Sequence, residues 1–317
     1  MKITAILKSL AALSLAALSG SVLAQAYPNK PIRVLVGYGA GGITDIVVRV
    51  STEEMGRRMG QPMVIENRPG ASAAVAGNAA RTSAPDGYTL YGGPVAGFAP
   101  VFLKDASIDP SKALAPISML GAGDWFMYVP TNLPINNLKD LTAYAKANPL
   151  RFSSPSVVNT MLMALIAKRL GFQVESIPYK ATDQTITSML NGDTQVTLNA
   201  ASGFAPFLSS GRLRVISTLS NKRLDIMPNV PTGIEQGLPL ETYSQISLWG
   251  PLGTPADIIN KLNVAAVEAL KTPAVVEKFR NVSYNPQSSS PQDLIRRTDE
   301  DIKLLLEAAA LIGFQPQ

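Results

Sequence analysis

Short apolar runs rich in β-branched residues alternate with segments of helical spacing. Ile32-Arg33-Val34-Leu35-Val36 predicts a strand, and a glycine turn follows it. From Thr44 to Met59 the apolar residues Ile46, Val47, Val50, Met55 and Met59 fall close to helical spacing. Pro62 to Glu66 predicts the next strand, and Ser72 to Thr82, rich in small residues, the next helix. Pro85-Asp86-Gly87 turns the chain into the strand Tyr88 to Tyr91. Strand, helix, strand, helix, strand implies parallel pairing with helices on both faces.

The second half continues in the same style. Trp125 to Val129 predicts a strand, and Asn137 caps a helix that runs to Ala147 before Asn148-Pro149. Phe152-Ser153-Ser154 leads into a helix from about Asn159 to Leu170, and Val174 to Ile177 is a strand. Asp183 caps a helix ending at Asn191-Gly192. Val196 to Leu198 and Leu213 to Leu219 are strands. Pro255 to Lys271 and Pro291 to Ile312 read as long amphipathic helices, the second with Leu294, Ile302, Leu305 and Leu306 on its apolar side. No internal repeat is present.

The chain has 317 residues, 46% hydrophobic and 16% charged, which is globular and long enough for two domains. It contains neither Cys nor His. That excludes disulfides, thiolate nucleophiles and Cys-ligated metals, and equally the Ser-His-Asp triad, the HExxH zinc site and imidazole proton shuttles. Lys2 and Lys8 precede or flank the apolar run Ser9 to Leu18, and Val22-Leu23-Ala24 supplies small or aliphatic residues before a break. Residues 1–24 therefore read as a secretory signal peptide, cut before Gln25 or after Ala26. The apolar run falls short of the ~20 residues that span a bilayer.

The formal charge of +5 drops to +3 without Lys2 and Lys8. The remaining basic residues are scattered, with no stripe interleaved with aromatics, so nucleic acid is not an expected partner. No second apolar stretch approaches membrane-spanning length. A soluble protein exported to a Gram-negative periplasm is the expectation.

Gly37-Tyr38-Gly39-Ala40-Gly41-Gly42 follows a strand, opens a helix and contains GxGxxG, with Glu66 at the end of the next strand. Glycines let the backbone approach an anion, and the free amides of a helix N-terminus supply donors and positive potential. Three readings stay open on these residues alone: a plain tight turn, a dinucleotide site of an NAD-dependent oxidoreductase with Glu66 on the ribose, and a cradle for a carboxylate.

Beyond this loop, a set of motifs recurs from the mature N-terminus almost to the C-terminus. Tyr27-Pro28-Asn29-Lys30-Pro31-Ile32-Arg33 opens it, then Gly39-Ala40-Gly41-Gly42-Ile43-Thr44-Asp45, Glu66-Asn67-Arg68-Pro69-Gly70-Ala71 and Pro85-Asp86-Gly87-Tyr88-Thr89-Leu90. Pro178-Tyr179-Lys180, Pro228-Asn229-Val230-Pro231-Thr232, Gly237-Leu238-Pro239, Trp249-Gly250 and Gly253-Thr254-Pro255 complete it. Together they resemble the substrate-binding receptors of tripartite tricarboxylate transporters, the Bug receptors. Gly37 stands where that family usually has Pro, and Ile43 where it often has a third Gly. Pro155-Ser156-Val157-Val158-Asn159-Thr160 replaces a second loop that is normally glycine-rich with a His near Thr160.

The resemblance implies an α/β, two-lobed periplasmic binding protein of type II-like architecture. Each lobe would be a mainly parallel sheet flanked by helices, with the ligand cleft between lobes. Lobe one would combine 25–125 with 248–317, and lobe two would be 126–247. It implies no enzyme, no cofactor and no metal; a monomer is the default expectation. The function implied is capture of a small carboxylate, dicarboxylate or aromatic, for the permease subunits of the transporter; a sensor signalling to a membrane partner is the alternative.

The implied ligand residues are Tyr38, Gly39, Ala40, Gly41, Gly42, Ile43, Thr44 and Asp45 in the first loop and Ser153, Ser154, Ser156, Asn159 and Thr160 in the second. Tyr179, Asn199, Ala200, Ser202 and Trp249 are expected around them. Two helix N-termini would converge on one anion. Asp45 reads foremost as a first-turn carboxylate that orients loop amides. Trp125 and Trp249 fall near the lobe crossings, where each has core packing as its commoner role. Glu66 belongs with its Glu-Asn-Arg-Pro-Gly turn. Asn199-Ala200-Ala201-Ser202, without an acid, disfavours an amino-acid ligand and leaves room for an aromatic one.

Overall fold

A computed structural model describes residues 27–70, 73–95, 109–179, 182–201 and 203–315. The signal peptide expected at 1–24, and Ser72, Lys180 and Ser202, lie outside the described residues.

Two sheets organise the fold. The first contains β1 (Ile32–Val36), β2 (Met63–Asn67), β3 (Thr89–Gly93), β4 (Leu114–Asp124), β10 (Tyr243–Pro251) and β11 (Asn285–Pro286), in the order β11-β4-β10-β3-β1-β2. β1 is parallel to both β2 and β3, so Val34 pairs with Ile65 on one side and Leu90 on the other. The second sheet contains β5 (Phe126–Pro130), β6 (Arg151–Ser154), β7 (Glu175–Pro178), β8 (Val196–Asn199) and β9 (Leu213–Thr218), in the order β7-β6-β8-β5-β9.

Both sheets are mixed rather than mainly parallel. β10 is antiparallel to β3 and β4, and β5 is antiparallel to β8 and β9. The reason is the path of the chain. β4 carries it out of the first sheet and β10 brings it back alongside, with Tyr243 paired to Asp124. Outgoing and returning neighbours must run in opposite directions.

Helices cover the sheets according to strand alternation, in which successive side chains face opposite sides. Ile32, Val34 and Val36 point to the layer formed by α1 (Ile43–Met59) and a later helix, residues 256–269, through Val47, Val48, Met55 and Leu262. Leu35 points the other way. It shares a row with Tyr91 and Trp249, its register partners across β3 and β10, under α2 (Ala74–Arg81).

In the second lobe, α4 (Leu138–Ala147) starts at the expected cap, where the Asn137 side chain accepts the Asp140 amide at 2.8 Å; α3 is the short Pro110–Ala113 turn before β4. α5 (Val157–Leu170) packs Leu162, Leu165 and Ile166 against Phe152, Val196 and Leu198. α6 (Thr182–Asn191) takes Asp183 inside its first turn rather than as its cap. α7 (Ala205–Ser209), α8 (Ala256–Ala269) and α9 (Pro273–Arg280) precede the last helix, α10 (Pro291–Leu311).

The α10 helix belongs to both lobes. Leu294 packs with Leu35, Tyr91 and Trp249 of the first, whereas Ile302, Leu305, Ala308 and Ala309 complete the core of the second. Glu307 adds ion pairs to Lys168 and Arg169 of α5, at 3.7 and 3.6 Å. The expected division gave 248–317 wholly to lobe one and began the return at 248. Instead β10 starts five residues earlier, at Tyr243, and the apolar face of α10 runs on past the first sheet until the second covers it.

Candidate functional site

The first loop is held from inside. At the end of β1 a Cβ on Gly37 would stand 2.3 Å from the Ala73 Cβ, so only glycine lets the two segments touch. Gly41 has φ +80°, the left-handed region that glycine occupies without strain. Its amide donates to Asp45 Oδ2 at 3.0 Å. Arg49 grips the same carboxylate, and Asn67 Nδ2 donates both to Asp45 Oδ1 and to the Tyr38 carbonyl, each at 2.9 Å. Asp45 is 3% exposed. Burial pushes its carboxyl up, but the Arg49, Gly41 and Asn67 donors outweigh burial and hold it below the ordinary carboxylate value. Gly42 precedes α1 with no side-chain cap, so the first-turn amides at Ile43 and Thr44 have no acceptor within the helix. Gly39, Ala40, Gly41 and Gly42 are exposed.

In the second loop most polar side chains are spent on each other. Ser154 and Thr160 share a hydroxyl hydrogen bond of 2.7 Å, and Asn159 Nδ2 donates to the Leu198 carbonyl at 2.6 Å. Ser153 lies fully buried with its hydroxyl toward the Val196 carbonyl. These contacts tie β6, β8 and α5 together. Ser156 caps α5: its hydroxyl donates to Asn159 Oδ1 and accepts the Asn159 amide. That leaves the amides of Val157 and Val158, at the first two helical positions, without intrahelical acceptors.

Between the lobes lies a cavity of about 350 Å³. Tyr38 and Val95 border it from the first lobe, and Ser156, Val157, Val158 and Leu162 from α5. Trp125, Thr242, Tyr243 and Gln245 border it at the two chain crossings, and α10 closes it with Thr298, Asp301, Ile302, Leu304 and Leu305. Its volume suits a small ligand. No Lys or Arg lines it among the described residues.

The cavity thus brings Tyr38 and Ser156 together. The expected residues Gly39 to Asp45, Ser153, Ser154, Asn159 and Thr160 are not among its lining. Tyr179 follows the edge strand β7 and faces a separate surface depression with Asp183 and Thr187. Asn199 ends β8 and Ala200 follows it, neither among the lining; the Ala200 carbonyl accepts the Tyr128 hydroxyl at 3.4 Å. Trp249, expected at the ligand, is instead fully buried in the Leu35–Tyr91 row, its indole N–H donating to Ser247 Oγ at 2.7 Å. Strand alternation turns it to the α2 side.

Lining residues with no counterpart in the expected set include the polar Tyr243, Gln245, Thr298 and Asp301. The available signal was Thr298 and Asp301, polar positions set among Leu294, Ile302 and Leu305 on one helix. Burial pushes the Asp301 carboxyl up to about 7, against the pull of Arg297 and with a further push from Glu300 and Glu241. Arg297 lies 3.5 Å from Asp301 Oδ1 and stacks 3.9 Å above the Tyr243 ring.

The dinucleotide reading fails on its acidic residue. Glu66 is engaged by Arg68 at 2.6 Å and faces Arg33 at 3.7 Å, as part of its own turn.

Comparison with known proteins agrees with this architecture. Residues 47–309 match the family model TctC, the tripartite tricarboxylate transporter family receptor. A UPF0065 protein encoded in the gbd 5' region of Cupriavidus necator is 33% identical, over 92% of this chain and 90% of that protein. Protein BugT of Bordetella pertussis is 31% identical, over 87% of each. Among solved structures, R. palustris Rpa4515 with adipate superposes with a TM-score of 0.73 at 25% identity, covering 92% of this chain and 100% of that one. The chain belongs to the tripartite tricarboxylate transporter receptor family, whose members are periplasmic solute-binding receptors and not enzymes.

Proposed function

We propose that this receptor captures a small organic carboxylate in the cavity between its lobes and delivers it to the membrane subunits of a tripartite tricarboxylate-type transporter. One observation carries the reading: the cavity is bounded by Tyr38 from the first loop and by the start of α5, where Val157 and Val158 present unspent amides. A helix N-terminus holds an anion through such amides and the helix dipole, without a basic side chain. The adipate-bound relative supports the ligand class.

On this reading residues 1–24 are removed on export. Lobe one is 27–125 with 243 to the first half of α10, lobe two is 126–242, and closure of the lobes buries the anion. The glycine loop acts indirectly: Asp45 and Asn67 hold it so that Tyr38 stands at the wall.

Calorimetric titration against C4 to C6 dicarboxylates and aromatic carboxylates tests the reading, together with native mass spectrometry of gently purified protein. A micromolar or tighter ligand, about −8 kcal/mol or stronger, is the expected result. A folded protein that binds no acid and carries none overturns it.

A further inference from the structure

Two kinds of unspent polar group border the cavity. At the start of α5 the first-turn amides are donors. On β10 the Gln245 side chain offers an acceptor. Gln245 is 7% exposed, and its Nε2 donates to Thr298 Oγ1 at 3.1 Å. That bond uses the amide's donor side, and Oε1 is buried with no partner although its residue borders the cavity. A buried carbonyl without a donor is costly, so such an atom marks a place where an incoming group is rewarded. Asp301 also borders the cavity, its Oδ1 3.5 Å from Arg297 Nε. Trp125, Val158 and Leu162 supply apolar wall.

We infer that Gln245 and Asp301 make this cavity select a carboxylate whose far end carries a hydrogen-bond donor, a hydroxyl or a protonated amine, received by Gln245 Oε1 and the ionised Asp301 carboxylate. The ligand is then an anion at one end, apolar in the middle and a donor at the other. Above about pH 7, where Asp301 is ionised, a second carboxylate at the far end meets its like charge and an acceptor with nothing to accept. The plain dicarboxylate is therefore the poorer ligand. This inference rests on the cavity being the carboxylate site.

The test is calorimetry on the mature chain at pH 8, where Asp301 is ionised, with two series. One is benzoate, 4-hydroxybenzoate, 4-(aminomethyl)benzoate and terephthalate. The other is hexanoate, 6-hydroxyhexanoate, 6-aminohexanoate and adipate. In the series that fits, the donor-ended acids bind about tenfold or more tightly than both the unsubstituted acid and the dicarboxylate. In Gln245→Met, and separately in Asp301→Asn, that ratio falls toward one.

Equal binding by the unsubstituted acid, or a preference for the dicarboxylate, overturns the inference and leaves the receptor function standing. The wild-type comparison decides this even where a variant fails to fold. A blank from all eight acids also overturns it, as does a co-purified acid lacking a distal donor. Only failure of the wider carboxylate panel removes the receptor reading as well.

Discussion

Asp45 and Arg49 meet one helical turn apart as a two-pronged ion pair, with Nη2 2.7 Å from Oδ1 and Nε 3.2 Å from Oδ2. Because Gly41 and Asn67 donate to the same carboxylate, this pair sets the conformation of the whole first loop. Asp45→Ala strands those donors and costs about 2–3 kcal/mol, read from urea denaturation. The folded carboxyl titrates below its ordinary 3.8, so its contribution is present above about pH 4 and is lost as pH falls through the depressed value. The variant accordingly shows a flatter acid limb in a plot of stability against pH.

The glycines of the loop are unequal. Gly37→Ala drives a Cβ into Ala73 and costs ~1–3 kcal/mol. Gly41→Ala meets no neighbour but must hold φ +80°, at about 1 kcal/mol. Gly39→Ala has open space and an ordinary backbone, and is close to neutral. Melting temperatures should rank in that order; a Gly39 variant as damaged as Gly37 contradicts the assignment.

Ser156→Ala removes the α5 cap. The expected loss is ~1 kcal/mol of stability, together with weaker carboxylate binding, because the first-turn amides lose the side chain that fixes them. Unchanged affinity in this variant places the anion elsewhere.

The α10 helix is held to the second lobe by packing rather than charge. Leu305→Ala costs about 2–4 kcal/mol, whereas Glu307→Gln, which deletes two half-exposed ion pairs, costs ~0.5 kcal/mol or less. Denaturant midpoints of the two variants separate the terms.

Burial raises the Asp301 carboxyl to about 7, above its ordinary 3.8. The folded form therefore favours the protonated acid, and the wild type loses stability as pH rises from about 4 through 7. Asp301→Asn should melt a few degrees above wild type at pH 8 and show no gain near pH 4. An equal difference at both ends of the range refutes the burial of this charge.

The strand and helix alternation of the first lobe was legible because β1 to β3 are apolar runs bounded by turns. β4, the longest strand at 11 residues, was not. It contains Pro116, Gly121 and Gly123, which read as breakers. In the fold those glycines make room for rings, since added Cβ atoms would stand 2.7 Å from Phe279 and 2.6 Å from Tyr284. The site was partly legible. Tyr38 and Ser156 follow from their places at strand–helix junctions, where the crevice of an open sheet forms. Gln245, Thr298 and Asp301 lie far from those loops in sequence, and only the β4–β10 crossing and the reach of α10 bring them there. Trp249 was misplaced because the face it takes depends on the register with Tyr91.

The two-lobe helix also orders events in time. The strands of the second lobe end at Thr218, yet four residues of its core, Ile302, Leu305, Ala308 and Ala309, come from α10. A growing or threading chain therefore holds an unfinished second lobe until α10 arrives. Removing the chain from Leu294 onward should leave both halves unsealed, not just the nearer one.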